Sequence, residues 1–484
     1  MQFVAREMEL NLLNNLYVRR GAQFLILYGR RRIGKTSLLT HWLAQSDRPH
    51  LYWMATQTST TNQLRNFSQA LFGFLNPGAA IDPTFSYASW VAAFIEVARV
   101  ANDPTAPRLV IVLDEFTYVM QANPEVPSLL QQAWDHHLKE SNLLLILSGS
   151  LAGIIQRTAL DYQSPLYGRA TARLRLQGLS FGALAELLPR YRTDQRVAVY
   201  AITGGVPAYI ELFDDQLNII ENLRQRIVTP ANVMLTDAVF LLHEQLDDPR
   251  NYMAIIEAIA NGAHTLAEIA KMTGLDTSNL TKYIGVLRDL GYLERQAPAT
   301  LHHPERSKQG RYTITDPYLR FYFRFLAPNL SLIERGMVRQ TVSLLSDHLA
   351  DFIGTHTFEE LCRTWVAMAA DWGQFPFLPE RVGSFWSREA QVDVVAINWR
   401  TKQLLLGECK WLREDVGRNV ARTLLEKRDK VVPKEGEWQV YYALFARHGF
   451  TEAAQSAAAS AAMQLVTLTQ MENDMITWLK SPPQ

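Results

Sequence analysis

The residues with the clearest chemical meaning form a glycine-rich segment near the start of the chain. It has the pattern G-x-x-x-x-G-K-[ST] and follows the apolar run 24–27. Gly29 and Gly34 allow backbone conformations in which successive N–H groups turn inward around a phosphate, and the helix beginning near Lys35 adds its positive end. We expect Lys35 to reach the β- and γ-phosphates of ATP and the Thr36 hydroxyl to hold Mg²⁺. The predicted nucleotide-binding positions are Gly29, Arg30, Arg31, Arg32, Ile33, Gly34, Lys35, Thr36 and Ser37.

Two carboxylates support this prediction. The apolar run 109–113 ends in Asp114 and Glu115, the pattern of a buried parallel strand whose carboxyl end opens onto a ligand crevice. We expect Asp114 to bind Mg²⁺ and Glu115 to orient or deprotonate the water that attacks the γ-phosphate. A third apolar run, 143–147, ends in Ser148, Gly149 and Ser150, which either place a hydroxyl near the γ-phosphate or simply form the turn that leaves the strand.

A second group of reactive side chains lies near the C-terminus. Two strand-like runs, 392–397 and 403–410, are joined by a polar turn. If Asn398 and Gln403 are paired in an antiparallel hairpin, Asp393 lies opposite Glu408, and Lys410 projects from the same face. Two carboxylates so close repel each other, which implies a cation between them. We therefore predict a Mg²⁺ held by Asp393 and Glu408 with Lys410 beside an attacking water; an exposed hairpin with an ordinary salt bridge is the alternative.

These residues resemble the D…E-x-K core of the PD-(D/E)XK nucleases, which have a restriction-endonuclease-like fold. The resemblance implies that a preceding helix supplies another acid, and either Glu359 or Glu360 on the helix near 357–366 fills that role. A further strand is expected over 438–445.

The elements that position both groups fall into four predicted units. Strands and helices alternate over 1–175, which indicates a parallel sheet covered on both faces, as in a P-loop ATPase core. Residues 176–245 have helical periodicity, broken at 204–207 by two glycines and a proline, and are expected to form a helical lid. A winged helix-turn-helix is predicted over 246–328, and the nuclease-like α/β domain over 329–484. The fold class is therefore α/β.

The winged helix prediction depends on helix signals. Thr265 begins a capping box, Gly274 ends that helix, and Asp276 or Thr277 caps the next one. Strand entry at 291–295 and a returning wing strand at 310–314 complete the pattern. The recognition helix would offer uncharged side chains and one lysine to DNA, so DNA binding and protein packing both remain open. Those side chains are Ser278, Asn279, Thr281 and Lys282.

Composition narrows the class of protein. The chain has 484 residues, and Lys+Arg and Asp+Glu both total 48, so no global positive field indicates nucleic acid or a membrane surface. Cys362 and Cys409 are too few for a disulfide framework or a structural zinc site. The N-terminus has no signal-peptide pattern and no apolar run is long enough to span a bilayer. We expect a soluble, cytoplasmic protein with no membrane partner.

Taken together, the order of parts resembles a known family: archaeal-type P-loop ATPases of the AAA+/STAND group with a nuclease-like C-terminal domain of uncharacterised function. The resemblance implies that Arg6 lies near the adenine side and that Arg169 or Arg173 senses the γ-phosphate. Ala5 stands where relatives often have glycine. The residues that carry the resemblance are 4–7, 29–36, 113–116, 164–169, 204–207, Asp393, Glu408, Cys409 and Lys410.

Two functions remain in competition. The first is an ATP-hydrolysing switch or motor, using ATP and Mg²⁺, that controls a winged helix and a nuclease-like domain acting on DNA. The second is a STAND-type signalling or scaffold protein whose C-terminal domain only recognises a protein partner, or another copy of the chain. A small-molecule kinase is disfavoured because nothing downstream resembles an acceptor pocket.

Overall fold

The computed structural model describes residues 3–103, 106–150, 162, 164–246 and 248–480. The chain divides into two compact units. The first contains residues 1–178 with the short segments 206–208 and 243–247, and the second contains 179–205, 209–242 and 248–484. Each unit is described separately below.

The first unit is built on a five-stranded sheet in the order β2-β3-β4-β1-β5, with every described pairing parallel. Its central strands are almost wholly apolar because helices cover both faces of a parallel sheet. The strands are β1 (Gln23–Tyr28), β2 (His50–Met54), β3 (Leu109–Asp114), β4 (Leu143–Gly149) and β5 (Ala172–Arg175). The α-helices of this unit are Glu7–Val18, Lys35–Ala44, Thr60–Leu75, Trp90–Ala101, Thr117–Ala122 and Val126–Ala133.

The edge strand β5 is a feature that sequence analysis missed. Its four residues alternate between small or apolar and charged side chains, and both arginines are exposed. Such a short edge strand lacks the continuous apolar run that marks β1, β3 and β4. Its pairing is with β1, from Leu25 opposite Ala172 to Tyr28 opposite Arg175.

The region predicted as a lid is helical. Helix Thr193–Thr203 ends where Gly204 takes a left-handed conformation, and Pro207 begins helix Pro207–Ile210, as the glycine and proline pattern predicted. The other helices of this region are Leu184–Leu187, Ile219–Asn222 and Asp237–His243, with a π-helix at Leu223–Ile227.

The winged helix is present. Helices Arg250–Ala260, Leu266–Thr273 and Thr277–Asp289 are followed by an antiparallel pair, β6 (Leu293–Gln296) and β7 (Arg311–Ile314). The predicted capping box forms, because the Thr265 side chain accepts from the Glu268 N–H and the Glu268 carboxylate accepts from the Thr265 N–H. Asp276 caps the third helix. The local signals thus predicted this region almost residue by residue.

The C-terminal domain contains a mixed five-stranded sheet in the order β12-β11-β10-β9-β8. Strands β8 (Arg381–Trp386), β9 (Gln391–Asn398) and β10 (Gln403–Lys410) are antiparallel, whereas β11 (Gln439–Ala446) and β12 (Gln464–Thr467) run parallel to β10. The helices of this domain are Leu330–Glu334, Val338–Phe352, Glu359–Asp371, Arg418–Glu426, Arg428–Val431, Glu452–Ser460 and Leu468–Lys480, and a π-helix lies at Ile353–Phe358. Helix Pro317–Phe321 and the π-helix Tyr322–Leu326 precede this domain.

Candidate functional sites

The phosphate loop joins β1 to helix Lys35–Ala44. Gly29 approaches the backbone so closely that an added Cβ would lie 2.6 Å from the Leu176 carbonyl oxygen, a position that only glycine can occupy. Arg32 and Gly34 both have left-handed backbone conformations, with φ of 65° and 95°. The loop therefore has the strained, inward-turned backbone that phosphate binding requires.

Lys35 lies within this loop. Its ammonium group donates to the carbonyl oxygens of Gly29 at 3.0 Å and Arg30 at 3.2 Å. Burial lowers the pKa of Lys35, and the charges of Glu115 and Asp114 oppose that shift. The lysine is therefore held inside the loop by weak neutral acceptors, which a phosphate can replace with stronger charged ones.

The predicted metal ligands are in contact. The Thr36 hydroxyl donates to Asp114 Oδ2 at 2.8 Å, and the Tyr52 hydroxyl donates to the same oxygen. Asp114 is fully buried at the end of β3. Burial raises the pKa of Tyr52, and its hydrogen bond to Asp114 adds to the rise. One hydroxyl and one carboxylate oxygen lie together here, which is a donor set that fits Mg²⁺.

Glu115 lies beside this pair in a left-handed conformation, with φ of 49°. Positive φ in a residue with a Cβ is strained and clusters at functional sites. Its carboxylate accepts from the Ser150 hydroxyl at 2.8 Å. Ser148, also named from the sequence, is fully buried instead, and its hydroxyl has no hydrogen-bond partner among the described residues.

The arginines expected at the nucleotide are placed differently from one another. Arg6 is buried and donates to the backbone oxygens of Ile33 and Gln177, so it braces the phosphate loop. Arg31 pairs with Glu244 at 2.6 Å. Ile33 is buried and Ser37 is exposed on the first turn of the helix.

The sheet places Arg169 and Arg173 at different levels beside β1. Because β5 runs parallel to β1, residues that precede β5 lie toward the amino edge of the sheet, away from the phosphate loop. Arg169 pairs there with Asp135 at 3.0 Å, and Arg173, in register with Ile26, places its guanidinium over the Tyr167 ring. A six-residue strand rises about 20 Å, so Arg169 lies near the end of β1 that is far from the loop, whereas Arg173 lies beside the middle of that strand.

The C-terminal hairpin has the predicted register. Gln403 pairs with Asn398, and the pairs continue in step to Gly407 and Val394. One residue further, Asp393 Oδ2 accepts from the Cys409 N–H at 3.0 Å. Asp393, Glu408 and Lys410 line one cavity of about 390 Å³. The register prediction is confirmed for the five observed pairs.

Glu408 is bound by two lysines in this cavity. Lys410 Nζ lies 2.7 Å from Oε1, and Lys427 Nζ lies 2.7 Å from Oε2. Burial lowers the pKa of Lys410, but the hydrogen bond to Glu408 and the nearby carboxylates outweigh it and raise the pKa overall. Burial raises the pKa of Asp393, and the charge of Glu408 adds to that rise.

The two candidate acids of the preceding helix, Glu359 and Glu360, have different surroundings. Glu359 lines the same cavity, whereas Glu360 pairs with Arg320 at 2.7 Å. Burial, followed by the charge of Asp393, raises the pKa of Glu359 to about 8. Arg363 lies 3.4 Å from Glu359 and donates to the Asp393 carbonyl oxygen at 3.0 Å.

Sequence analysis missed two residues of these sites. Lys427 contacts the Glu408 carboxylate, and Arg363 contacts the Glu359 carboxylate and the Asp393 carbonyl oxygen. Ser150, at the strand exit that the sequence indicated, contacts Glu115. Lys427 follows helix Arg418–Glu426, and no spacing rule links that helix to β10.

The presumed recognition helix of the winged helix presents an exposed polar surface. Ser278, Asn279, Thr281 and Lys282 are all exposed. The side chains of Ser278 and Asn279 both donate to the cap residue Asp276. Two of the four predicted contact residues are therefore engaged in stabilising the helix start.

A parallel sheet with a phosphate loop after β1 and a buried acid after β3 defines a P-loop ATPase. Residues 3–213 match a family described as an ATPase domain predominantly from Archaea, residues 251–297 an IclR helix-turn-helix domain, and residues 322–423 a family of "Archaea bacterial proteins of unknown function". An uncharacterised protein of Methanocaldococcus jannaschii is 32% identical over 446 residues, which cover 91% of this chain and 95% of the relative. The chain therefore belongs to the family of archaeal-type P-loop ATPases with a C-terminal domain of uncharacterised function.

The solved structure of a Walker-type ATPase agrees on the fold. A Walker-type ATPase of Pyrococcus abyssi superimposes with a TM-score of 0.50 at 20% identity, covering 66% of this chain and 95% of that one. The ORC2 protein of Aeropyrum pernix aligns with a TM-score of 0.42 at 13% identity, covering 69% and 95%. These likenesses concern the fold alone.

Two features, a membrane-spanning helix and a cluster of metal-binding side chains, are absent from the described residues. No helix among them combines the length and apolarity needed to cross a membrane. In the same part of the chain, no three or more His, Cys, Asp or Glu side chains are grouped closely enough to hold a metal ion.

Proposed function

We propose that this protein binds and hydrolyses ATP and that its nucleotide state controls the winged helix and the nuclease-like domain, which act on DNA. The observation that carries the proposal is the contact between the Thr36 hydroxyl and Asp114 at 2.8 Å, next to Lys35 in the phosphate loop. The proposed functional units are the ATPase core 1–175, the lid 176–245, the winged helix 246–328 and the nuclease-like domain 329–484.

Each residue of the ATP site has a proposed role. Lys35 holds the β- and γ-phosphates, and Thr36 and Asp114 hold Mg²⁺, which neutralises phosphate charge when it is bound. Glu115 orients the attacking water and accepts its proton. Since Ser150 already donates to Glu115, that hydrogen bond must loosen or be shared when the water takes its position.

The nuclease-like site has a parallel proposal. Asp393 and Glu408 would hold a Mg²⁺ that polarises a phosphodiester, with Lys410 beside the attacking water. Asp393 and Glu408 line the same cavity, and this proximity supports a bound cation. Lys410 and Lys427 supply positive charge to Glu408 in the described structure, and a divalent cation would compete with them.

The decisive experiment measures ATP turnover with and without DNA, on the wild type and on Lys35→Ala, with the DNA recovered and sized. We expect Mg²⁺-dependent turnover in the wild type, its loss in Lys35→Ala, and shortened DNA only where Asp393 is intact. Purified protein that neither turns over ATP nor binds nucleic acid would refute the proposal.

A second candidate function is supported by the same ion pairs. Both oxygens of Glu408 are already paired with lysines, an arrangement that also suits a catalytically inactive, charge-balanced domain. In that case the protein is a STAND-type signalling or scaffold ATPase whose C-terminal domain binds a protein partner, or whose copies assemble together. Asp393→Ala and Lys410→Ala distinguish the two: lost DNA cleavage supports the first function, and unchanged cellular activity supports the second.

A further inference from the structure

A second cavity adjoins the carboxylate cavity within the same unit. It has a volume of about 130 Å³ and lies between the wing strand β7 and the C-terminal domain. Thr355, Glu359 and Gln391 line both cavities. A ligand group in the smaller cavity would therefore be a near neighbour of Asp393 and Glu408.

Basic side chains outnumber acidic ones in the smaller cavity. Arg311, Arg320 and Arg363 line it together with Glu359 and Glu360. Arg363 also donates to the backbone carbonyl oxygen of Asp393, whose side chain lines the larger cavity. Burial lowers the pKa of His356, another lining residue, to about 3, and the neighbouring charge of Arg320 adds to the shift. The lining is suited to an anion.

Arg320 provides a donor that no described residue of the protein uses. Its side chain is only 5% exposed, and Nη2 donates to the Ile314 carbonyl oxygen at 2.8 Å and to Glu360 at 2.7 Å. Its Nη1 is buried with no hydrogen-bond partner among the described residues. Buried donors of this kind are rare in folded proteins and call for an acceptor.

Arg311 is positioned by stacking. Its guanidinium lies 4.7 Å from the centre of the Trp386 ring, and the Trp386 N–H is fixed by the Gln309 carbonyl oxygen at 3.0 Å. Stacking occupies the flat face of the guanidinium and leaves its N–H edge available for a planar, bidentate partner. Arginine forks match phosphate oxygens in this way.

We propose that this cavity binds the terminal phosphate of a nucleic-acid strand, so that the strand enters the carboxylate cavity from a fixed end. A terminal phosphate monoester carries a charge of about −1.5 to −2, more than an internal diester, and suits a pocket with three arginines. This inference depends on the proposed function, because it names the substrate that the nuclease-like site would receive.

The test is fluorescence anisotropy of the full chain in EDTA with single-stranded oligonucleotides that carry a phosphate at the 5′ end, at the 3′ end or at neither. Arg311→Gln and Arg320→Gln remove cavity donors, and Arg311→Gln keeps the test valid if the buried Arg320 variant does not fold. Arg381→Gln is the matched control, because Arg381 stacks on Trp399 at the same 4.7 Å but does not line the cavity.

We expect one phosphorylated oligonucleotide to bind about tenfold more tightly than the unphosphorylated one, the gain from one charge-assisted hydrogen bond. Arg311→Gln should abolish that preference and Arg381→Gln should keep it. Equal binding of all three oligonucleotides would overturn the inference while leaving nucleic-acid binding intact. If no oligonucleotide binds but inorganic phosphate raises the melting temperature of the wild type and not of Arg311→Gln, both the strand-end assignment and the DNA part of the proposed function are wrong.

Discussion

The phosphate loop and the carboxylate cavity hold their charges in different ways. In the loop, the contiguous segment 29–36 supplies the phosphate-binding groups, and Lys35 donates to the neutral carbonyl oxygens of Gly29 and Arg30. In the cavity, residues from separate elements meet, and Glu408 is bound by the two ammonium groups of Lys410 and Lys427. The first site is thus ready for an anion, whereas the second must exchange existing ion pairs for a cation.

This difference predicts whether a substitution at each site will reduce ATP turnover, stability or both. Removing the Lys35 ammonium group takes a donor from two carbonyl oxygens and a nearby positive charge from Asp114 and Glu115. It breaks no direct ion pair among the described residues, so the fold should survive and chemistry should fail. Removing a charge from the cavity leaves buried partners of opposite charge unpaired, which is costly. Substitutions in the loop should therefore affect turnover, and substitutions in the cavity should affect stability as well.

The largest effect is expected from Lys35→Ala. We predict that ATP turnover falls by on the order of 100-fold or more, because the transferred phosphoryl group loses its main cationic contact, while the melting temperature changes little. Lys410→Ala is the matched control and should leave ATP turnover unchanged. Steady-state hydrolysis and thermal unfolding of both variants provide the measurement, and a comparable loss of turnover in Lys410→Ala would contradict the separation of the two sites.

We expect Glu359, which lines the carboxylate cavity, to make the free energy of unfolding depend on pH. Its folded pKa of about 8 lies above the usual glutamate value, so the folded protein binds the extra proton. The contribution of Glu359 to the free energy of unfolding is therefore fully present below the usual glutamate pKa. It falls by about 1.4 kcal/mol per pH unit for one proton as the pH rises toward 8.

Glu359→Gln should remove this slope, because glutamine mimics the protonated carboxyl and does not titrate. Urea denaturation in EDTA between pH 5 and pH 8 gives the free energies of unfolding. Glu360→Gln, one residue away and paired with Arg320, is the control that should retain the slope. Parallel curves for the wild type and Glu359→Gln would show that another group dominates.

Contiguous signals explain how much of the molecule could be predicted from its sequence. Three predicted features depend on residues that are only a few positions apart: the phosphate loop, the capping box at Thr265 and the hairpin register through Gln403 and Asn398. Such short spacings determine the relative positions of the side chains. The register then extended the prediction to Asp393 and Glu408 without further information.

Long-range packing explains what could not be predicted. Lys427 contacts Glu408 from the end of another helix. Arg363 lies on a helix for which the sequence predicted only acidic residues to be functional. The position of Arg169 in the sheet could not be predicted because β5 is a short edge strand with alternating charge. Without that strand, the direction of the chain beside β1, and thus the edge at which Arg169 lies, could not be known.

A smaller effect is predicted for Glu408→Gln. Loss of the charge weakens two hydrogen bonds from partly buried lysines and should lower the free energy of unfolding by about 2 kcal/mol. Glu426→Gln is the control, because Glu426 and its partner Arg422 are both mostly exposed and such pairs contribute about 0.5 kcal/mol or less. Urea denaturation at neutral pH measures both, and equal losses would show that the lysines contribute no more than a surface pair.

The smallest effect should come from Tyr52→Phe, which tests whether the loop site also depends on a fixed carboxylate. The Tyr52 hydroxyl donates to the same Asp114 oxygen that accepts from Thr36, so its loss lets the carboxylate rotate away from the Mg²⁺ position. A neutral hydrogen bond contributes about 1 kcal/mol, so we expect about a fivefold higher Mg²⁺ requirement for ATP turnover with the fold intact. Tyr283→Phe removes a hydroxyl that contacts Asn251 in the winged helix and should leave the Mg²⁺ dependence unchanged. An unaltered Mg²⁺ titration in Tyr52→Phe would show that Thr36 and the backbone alone hold Asp114 in place. The loop site would then depend on fewer side chains from other elements than the cavity does.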